Sequence, residues 1–288
     1  MKPLFDSIAG DGARLACGEW PGRGSPIVAL HGITSSLMSF CGVAEMLDGR
    51  RPLLALDLRG HGDSDRPDGP YTIEQHARDV ASAMNQRSLG PTIVVGHSFG
   101  AYVAVALAAT APELVSALVL VDGGYPPLPL GANGAAFAEM AMLPSLARVR
   151  LRHVTAADHL ESWLATPGLA GGRREWIERF ASHDVAGVPP SLHSKVDERT
   201  VRAAYHDMVD TSAIERRLER VMAPMTIVRA QHGAARNLPP IVPDEVVIAV
   251  RRRVRRLGVA TVDATHYTIL LGERGARAVV GALEEVSR

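Results

Sequence analysis

Six short runs of almost uninterrupted apolar residues constrain this chain more than any other feature. They are PIVALHG at 26–32, PLLALDLRG at 52–60, PTIVVGH at 91–97, SALVLVDG at 116–123, PMTIVRA at 224–230 and GVATVDA at 258–264. A strand with one wet face alternates polar and apolar residues, whereas a continuous run needs cover on both faces. Glycine or polar residues and then a helical pattern follow each run. Together these features predict an α/β fold, a mostly parallel sheet flanked by helices.

That rhythm stops between about Tyr125 and Asp210, a gap far longer than an ordinary connection of ~2–6 residues. The expectation is a core formed by 1–124 and 211–288, with a mostly helical cap inserted at 125–210. Phe137, Met140, Met142, Leu143, Trp163, Leu164, Trp176, Ile177 and Phe180 offer the apolar helical faces, and PPLPLGANG and TPGLAGG the breaks. The run RRRVRR at 251–256 reads as the solvated side of a helix whose buried stripe is Val247, Val250, Val254 and Leu257, stopped at Gly258.

Lys plus Arg and Asp plus Glu number 31 each, so no overall field draws the chain to nucleic acid or an acidic membrane. A small, apolar substrate fits this balance, with no nucleic-acid or membrane partner. Cys17 and Cys41 are too few for a disulfide framework and lie in apolar segments. The beginning, MKPLFDSIAGDGARL, has no apolar signal core, and the expected location is the cytoplasm.

Within PTIVVGHSFGAYVAVALAA, Ser98 stands between Gly96 and Gly100 at a strand–turn–helix junction. The glycines leave room for a tight turn, and the helix start favours a developing anion. A serine hydroxyl is a poor nucleophile at neutral pH, so this chemistry also needs a base and a group to orient it.

The chain outside the insertion resembles the capped members of the α/β-hydrolase family. The resemblance rests on LHGITSS at 30–36, DLRGHGDSD at 57–65, GHSFG at 96–100, VLVDG at 119–123 and ATHYTIL at 264–270, in that order. It implies His266 as base and the backbone amides of Ile33 and Phe99 as oxyanion donors. The family most often carries its acid after the penultimate strand, but PMTIVRAQHGAARNLPP has no Asp or Glu. A second family arrangement places it after the nucleophile helix, which implies Asp122; Asp210 and Asp244 are weaker substitutes. The DLRGHGDSD segment is expected to be a structural loop, with no metal and no cofactor.

The expected activity is hydrolysis of a carboxylic ester, lactone or thioester through an acyl-enzyme, with Phe137, Met140 and Met142 lining the substrate pocket. Cleavage of an amide or C–C bond on the same triad is the enzymatic alternative, and a ligand-binding, non-catalytic member of the fold is the other.

Overall fold

The computed structural model describes residues 2–126, 134–254 and 256–287; the side chains of 134, 135, 137 and 138 also lie outside the description. Its strands are β1 (Leu4–Ala9), β2 (Arg14–Trp20), β3 (Ile27–Leu30), β4 (Leu53–Leu56), β5 (Thr92–His97), β6 (Val115–Val121), β7 (Val185–Ala186), β8 (His193–Ser194), β9 (Met225–Ala230) and β10 (Leu257–Val262). Eight of them form one sheet in the order β1-β2-β4-β3-β5-β6-β9-β10. The six apolar runs supply its parallel part, β4 through β10, and the β1–β2 hairpin continues it antiparallel through β2 and β4.

The helices are α1 (Cys41–Leu47), α2 (Ile73–Gln86), α3 (Phe99–Thr110), α4 (Gly134–Arg150), α5 (Ala156–Leu164), α6 (Arg174–Asp184), α7 (Glu198–Met208), α8 (Thr211–Arg220), α9 (Asp244–Arg251), α10 (Thr268–Leu271) and α11 (Glu273–Glu285). Their arrangement explains why the strands are apolar on both sides. Val28, Leu30, Val94, Leu118 and Leu120 point into the layer formed with α2, α3, α8 and α9. Ile27, Ala29, Val95, Val119 and Val121 point into the opposite layer, with α1, α10 and α11.

Between β6 and β9 the described chain runs through α4 to α7 and the small antiparallel β7–β8 ribbon. Trp163, Trp176, Ile177 and Phe180 are buried there. Polar contacts fasten this segment to the sheet-bearing part. His183 Nε2 lies 3.0 Å from Asp57 Oδ2, the Arg173 amide donates to Leu271 O at 2.7 Å, and the Asp197 amide donates to Gly60 O at 2.7 Å.

The arginine-rich segment departs from its sequence reading. The helix ends at Arg251, and Leu257 opens β10, paired with Met225. Sheet pairing therefore captures Leu257 and Gly258, which the apolar spacing had assigned to the helix and its stop. Gly258 suits this place because a Cβ would press on the Thr226 side chain.

Candidate active site

Parallel strands all deliver their carboxyl ends to one edge, and ligands of open α/β sheets bind there. Gly32 and Ile33 follow β3, Ser98 follows β5, Asp122 follows β6, and His266 lies four residues beyond β10. Ser98, Asp122 and His266 line one cavity of about 660 Å³ together with Gly32 and Ile33.

Ser98 sits at φ 51° and ψ −118°, in a backbone region that L-residues rarely adopt. The two glycines explain how the chain tolerates that turn. A Cβ on Gly96 would overlap the Gly100 carbonyl, and one on Gly100 would overlap the Leu30 carbonyl. The turn is closed by the Ser98 amide, which donates to Val121 O at 2.9 Å. Phe99 is the first residue of α3, where an amide has no intrahelical acceptor.

His266 Nδ1 donates to Asp122 Oδ2 at 2.6 Å. The other carboxylate oxygen, Oδ1, accepts from the Ala230 amide at 3.2 Å. Asp122 is itself at φ 50°, and its amide donates to Val228 O at 2.9 Å. Both its backbone and its carboxylate are thus fixed by β9, the neighbouring strand. An imidazole held on one side by a carboxylate, in a cavity shared with a helix-start serine, is the arrangement by which a hydroxyl is activated.

Three further histidines support these groups. His31 Nδ1 donates to Gly32 O at 2.7 Å while its Nε2 accepts from the Leu58 amide at 3.0 Å. Both nitrogens are therefore engaged by the neutral ring, and burial pushes its pKa down to about 3. Because the Gly32 C=O and the Ile33 N–H lie in one trans peptide plane and point in opposite directions, that grip also sets the direction of the Ile33 amide. His61 Nε2 donates to Ile33 O at 2.6 Å, fixing the next peptide; burial holds its pKa low as well. His97 Nε2 donates to His266 O at 2.9 Å and its ring lies against that of His266, 4.7 Å between centroids. The HGITSS and DLRGHG motifs drew attention to the first two, but only the fold shows that they hold consecutive peptides.

Asp210 and Asp244, the substitute acids, are engaged elsewhere. Asp210 caps α8 by accepting from the Ala213 amide at 3.0 Å, and Asp244 pairs with Arg229 at 2.5 Å. In the DLRGHGDSD segment, Arg59 is buried and forks onto Asp79 at 2.5 and 2.8 Å. Asp57, Asp63 and His183 do bring ligand-type atoms within 4.8 Å of one another. Two of these groups pair with each other, His183 Nε2 with Asp57 Oδ2 at 3.0 Å, and the third accepts from Lys195 Nζ at 2.7 Å through Asp63 Oδ1.

The predicted pocket residues need correction. The side chain of Phe137 lies outside the described residues. Met140 is 69% exposed, whereas Met142 is 4% exposed and packs in the core with Leu146 and Val149. The cavity is lined instead by Ala141, Pro144 and Ser145 of the same helix. At 3.6 residues per turn, positions 141, 144 and 145 share one face and 142, 146 and 149 the adjacent one. Residue type had pointed to the large apolar side chains, and helix phase selects the small ones. Other lining residues that the sequence reading missed are Tyr102, Tyr125, Tyr205 and Pro239 to Ile241.

Residues 25–186 match the family model for the alpha/beta hydrolase fold. The chain belongs to the α/β-hydrolase fold family. Among relatives, it is 29% identical over 242 residues to the lipase LipV of Mycobacterium tuberculosis, covering 81% of this chain and 83% of that one. It is 39% identical over 101 residues to a 2-(acetamidomethylene)succinate hydrolase of Mesorhizobium japonicum, a match to 35% of this chain and 36% of the relative. The crystal structure of an E-2-(acetamidomethylene)succinate hydrolase superposes with a TM-score of 0.82 at 22% identity, covering 99% of both chains. The family and these hydrolase relatives support an enzyme. No helix among the described residues is long and apolar enough to cross a membrane.

Proposed function

We propose that this protein hydrolyses a small, uncharged and mainly apolar carboxylic ester, lactone or thioester through an acyl-enzyme. Ser98 attacks the carbonyl, His266 takes the serine proton and passes it to the leaving group, and Asp122 orients the imidazole and stabilises its charged form. The amides of Ile33 and Phe99 receive the developing oxyanion. Water, activated by His266, then releases the acid. Segment 125–210 acts as a cap over the carboxyl ends of the strands, supplying Ala141, Pro144 and Ser145 to the cavity wall.

The observation that carries this reading is the 2.6 Å bond from His266 to Asp122 in the same cavity as Ser98 at its strained turn. The apolar-substrate part rests on the lining. Among the described residues, neither Lys nor Arg lines the cavity, and the intervening sequence PLPLGAN at 127–133 contains none. A succinate-type dianion such as the one named for two of the matches would meet no Lys or Arg on that lining; the Arg148 guanidinium lies against the Trp163 ring at 4.1 Å and donates to Thr166 Oγ1.

A fluorophosphonate probe and p-nitrophenyl esters of graded chain length test the proposal. Labelling of wild type but not of Ser98→Ala, with turnover of neutral esters, is the expected result. Labelling of both proteins at the same rate refutes the nucleophile. Turnover of amide or C–C substrates in preference to every ester refutes the ester assignment.

A further inference from the structure

Tyr102 lies one turn beyond Ser98 on α3, and Tyr125 lies three residues beyond Asp122. Both line the cavity, with ring centroids 6.3 Å apart and planes inclined by 46°. The Tyr102 side chain is partly exposed, and its hydroxyl has no hydrogen bond to the described residues. Tyr125 is 2% exposed, and its Oη is fully buried behind the lining, also without a partner among the described residues. An unpaired buried hydroxyl is a cost that phenylalanine, of nearly the same shape, would avoid.

Burial, with the nearby Asp122 charge, pushes both phenols up from their ordinary pKa, so both stay protonated and can donate. The surroundings decide what they donate to. Met208, Val209, Ile241 and Val246 line the cavity alongside them, and no Lys or Arg does so among the described residues. A carboxylate would lose its hydration without gaining a counter-charge and would lie near Asp122. A neutral oxygen has no such penalty.

We infer that Tyr102 and Tyr125 form a donor subsite for an uncharged oxygen of the substrate, a ketone, ether or hydroxyl oxygen separate from the scissile group. This rests on the ester-hydrolase reading and narrows it from apolar esters to esters that carry a second, neutral oxygen. Tyr102 makes the contact from the cavity surface, and Tyr125, whose Oη is fully buried in the unliganded protein, turns its hydroxyl toward the same oxygen when the substrate fills the site.

Matched substrates test the subsite. On the acyl side these are p-nitrophenyl pentanoate, p-nitrophenyl 4-oxopentanoate and p-nitrophenyl hemisuccinate; on the alcohol side, butyl and 2-ethoxyethyl butanoate. In at least one series the neutral-oxygen substrate should exceed its alkyl match by about tenfold in kcat/KM, a factor typical of one hydrogen bond. The hemisuccinate should trail the pentanoate by about a hundredfold, on the order expected for an unpaired charge. Tyr102→Phe and Tyr125→Phe should each bring the oxygen-to-alkyl ratio close to one, and Tyr125→Phe should keep or raise Tm.

Equal ratios in wild type and both variants, a hemisuccinate as good as the pentanoate, or a large fall in Tm for Tyr125→Phe would each overturn the inference. Binding separates it from the catalytic proposal. Ser98→Ala protein should gain thermal stability from ethyl 4-oxopentanoate or 2-ethoxyethyl butanoate but not from ethyl pentanoate, and the gain should vanish when Tyr102→Phe is added. Loss of that selectivity refutes the subsite. Selective binding by a wild type that neither turns over esters nor reacts with phosphonate refutes the hydrolase reading instead.

Discussion

Asp122→Asn isolates the charge of the third site residue because the structure fixes how the new side chain must sit. The Ala230 amide donates to one carboxylate oxygen and His266 Nδ1 donates to the other. Asparagine has one oxygen and one NH₂ to serve these two donors. If the oxygen stays with Ala230, the NH₂ faces His266 and makes Nδ1 an acceptor, so the proton moves to Nε2. The imidazole then cannot take a proton from Ser98. If the amide flips, the NH₂ confronts the buried Ala230 N–H, at a cost of about 1–3 kcal/mol for an unsatisfied donor. By that cost alone, the productive orientation is populated at roughly 1–20%. Loss of the negative charge that stabilises the imidazolium adds the remainder, so the total fall in kcat should be about 10⁴-fold.

The assay is kcat on a neutral p-nitrophenyl ester, with Tm and circular dichroism to show that the fold persists. Asp210→Asn and Asp244→Asn serve as controls and should stay within about threefold of wild type, since surface substitutions away from a site have small effects. Activity of Asp122→Asn within tenfold of wild type would refute the orientation argument. So would an inactive Asp210→Asn or Asp244→Asn protein that remains folded.

Ser98→Ala should lower turnover by about 10⁴ to 10⁶-fold with the fold intact, whereas Ser98→Gly, which relieves the positive φ, should also raise stability by about 1 kcal/mol; calorimetry on both separates strain from chemistry. Met142→Ala should cost about 2–5 kcal/mol of stability and leave chain-length preference unchanged, while Ala141→Leu should shift preference toward shorter esters; the reverse pattern in unfolding and kinetics would return Met142 to the cavity. Buried His31 has a folded pKa of about 3, against an unfolded value of about 6.5, so the unfolded chain binds the proton first as pH falls. Its contribution is fully present above pH 6.5 and should fall by about 2 kcal/mol by pH 5. His61, His76 and His97 are lowered in the same direction, so denaturant midpoints should drop steeply below about pH 6.5; a flat profile from pH 7 to 5 would contradict this.

The parallel strands were legible because burial on both faces leaves a continuous apolar signature. Hairpin strands β1 and β2 were not: LFDSIA and RLACGEW mix charged and apolar residues, and β1 is an exposed edge strand. Ser98 could be read from its flanking glycines, since the collisions that exclude side chains there are local to the turn. The roles of His31 and His61 could not: His61 reaches the Ile33 carbonyl from 28 residues away, and the His31 ring is oriented toward the adjacent Gly32 carbonyl by the Leu58 amide, 27 residues on. The cavity wall was misread at Met140 and Met142 for a different reason: hydropathy marks which residues avoid water, but neighbouring helices determine which side of α4 meets the cavity.

The proposed acid, Asp122, shows how a departure from the commoner sequence pattern can leave the site geometry intact. β6 and β9 are neighbours in parallel register, with Val121 beside Val228. Residues at the ends of these two strands therefore lie close together, and a carboxylate from either can approach the same imidazole. Here the side chain comes from β6, while β9 contributes the Ala230 amide and the Val228 carbonyl that fix it. With Asp122 as the proposed acid, the residue after β9 is free of that role, in keeping with Gln231 and the carboxylate-free stretch that follows. What the chemistry constrains is the position of a carboxylate beside His266, and adjacent strands give the sequence two ways to meet that constraint.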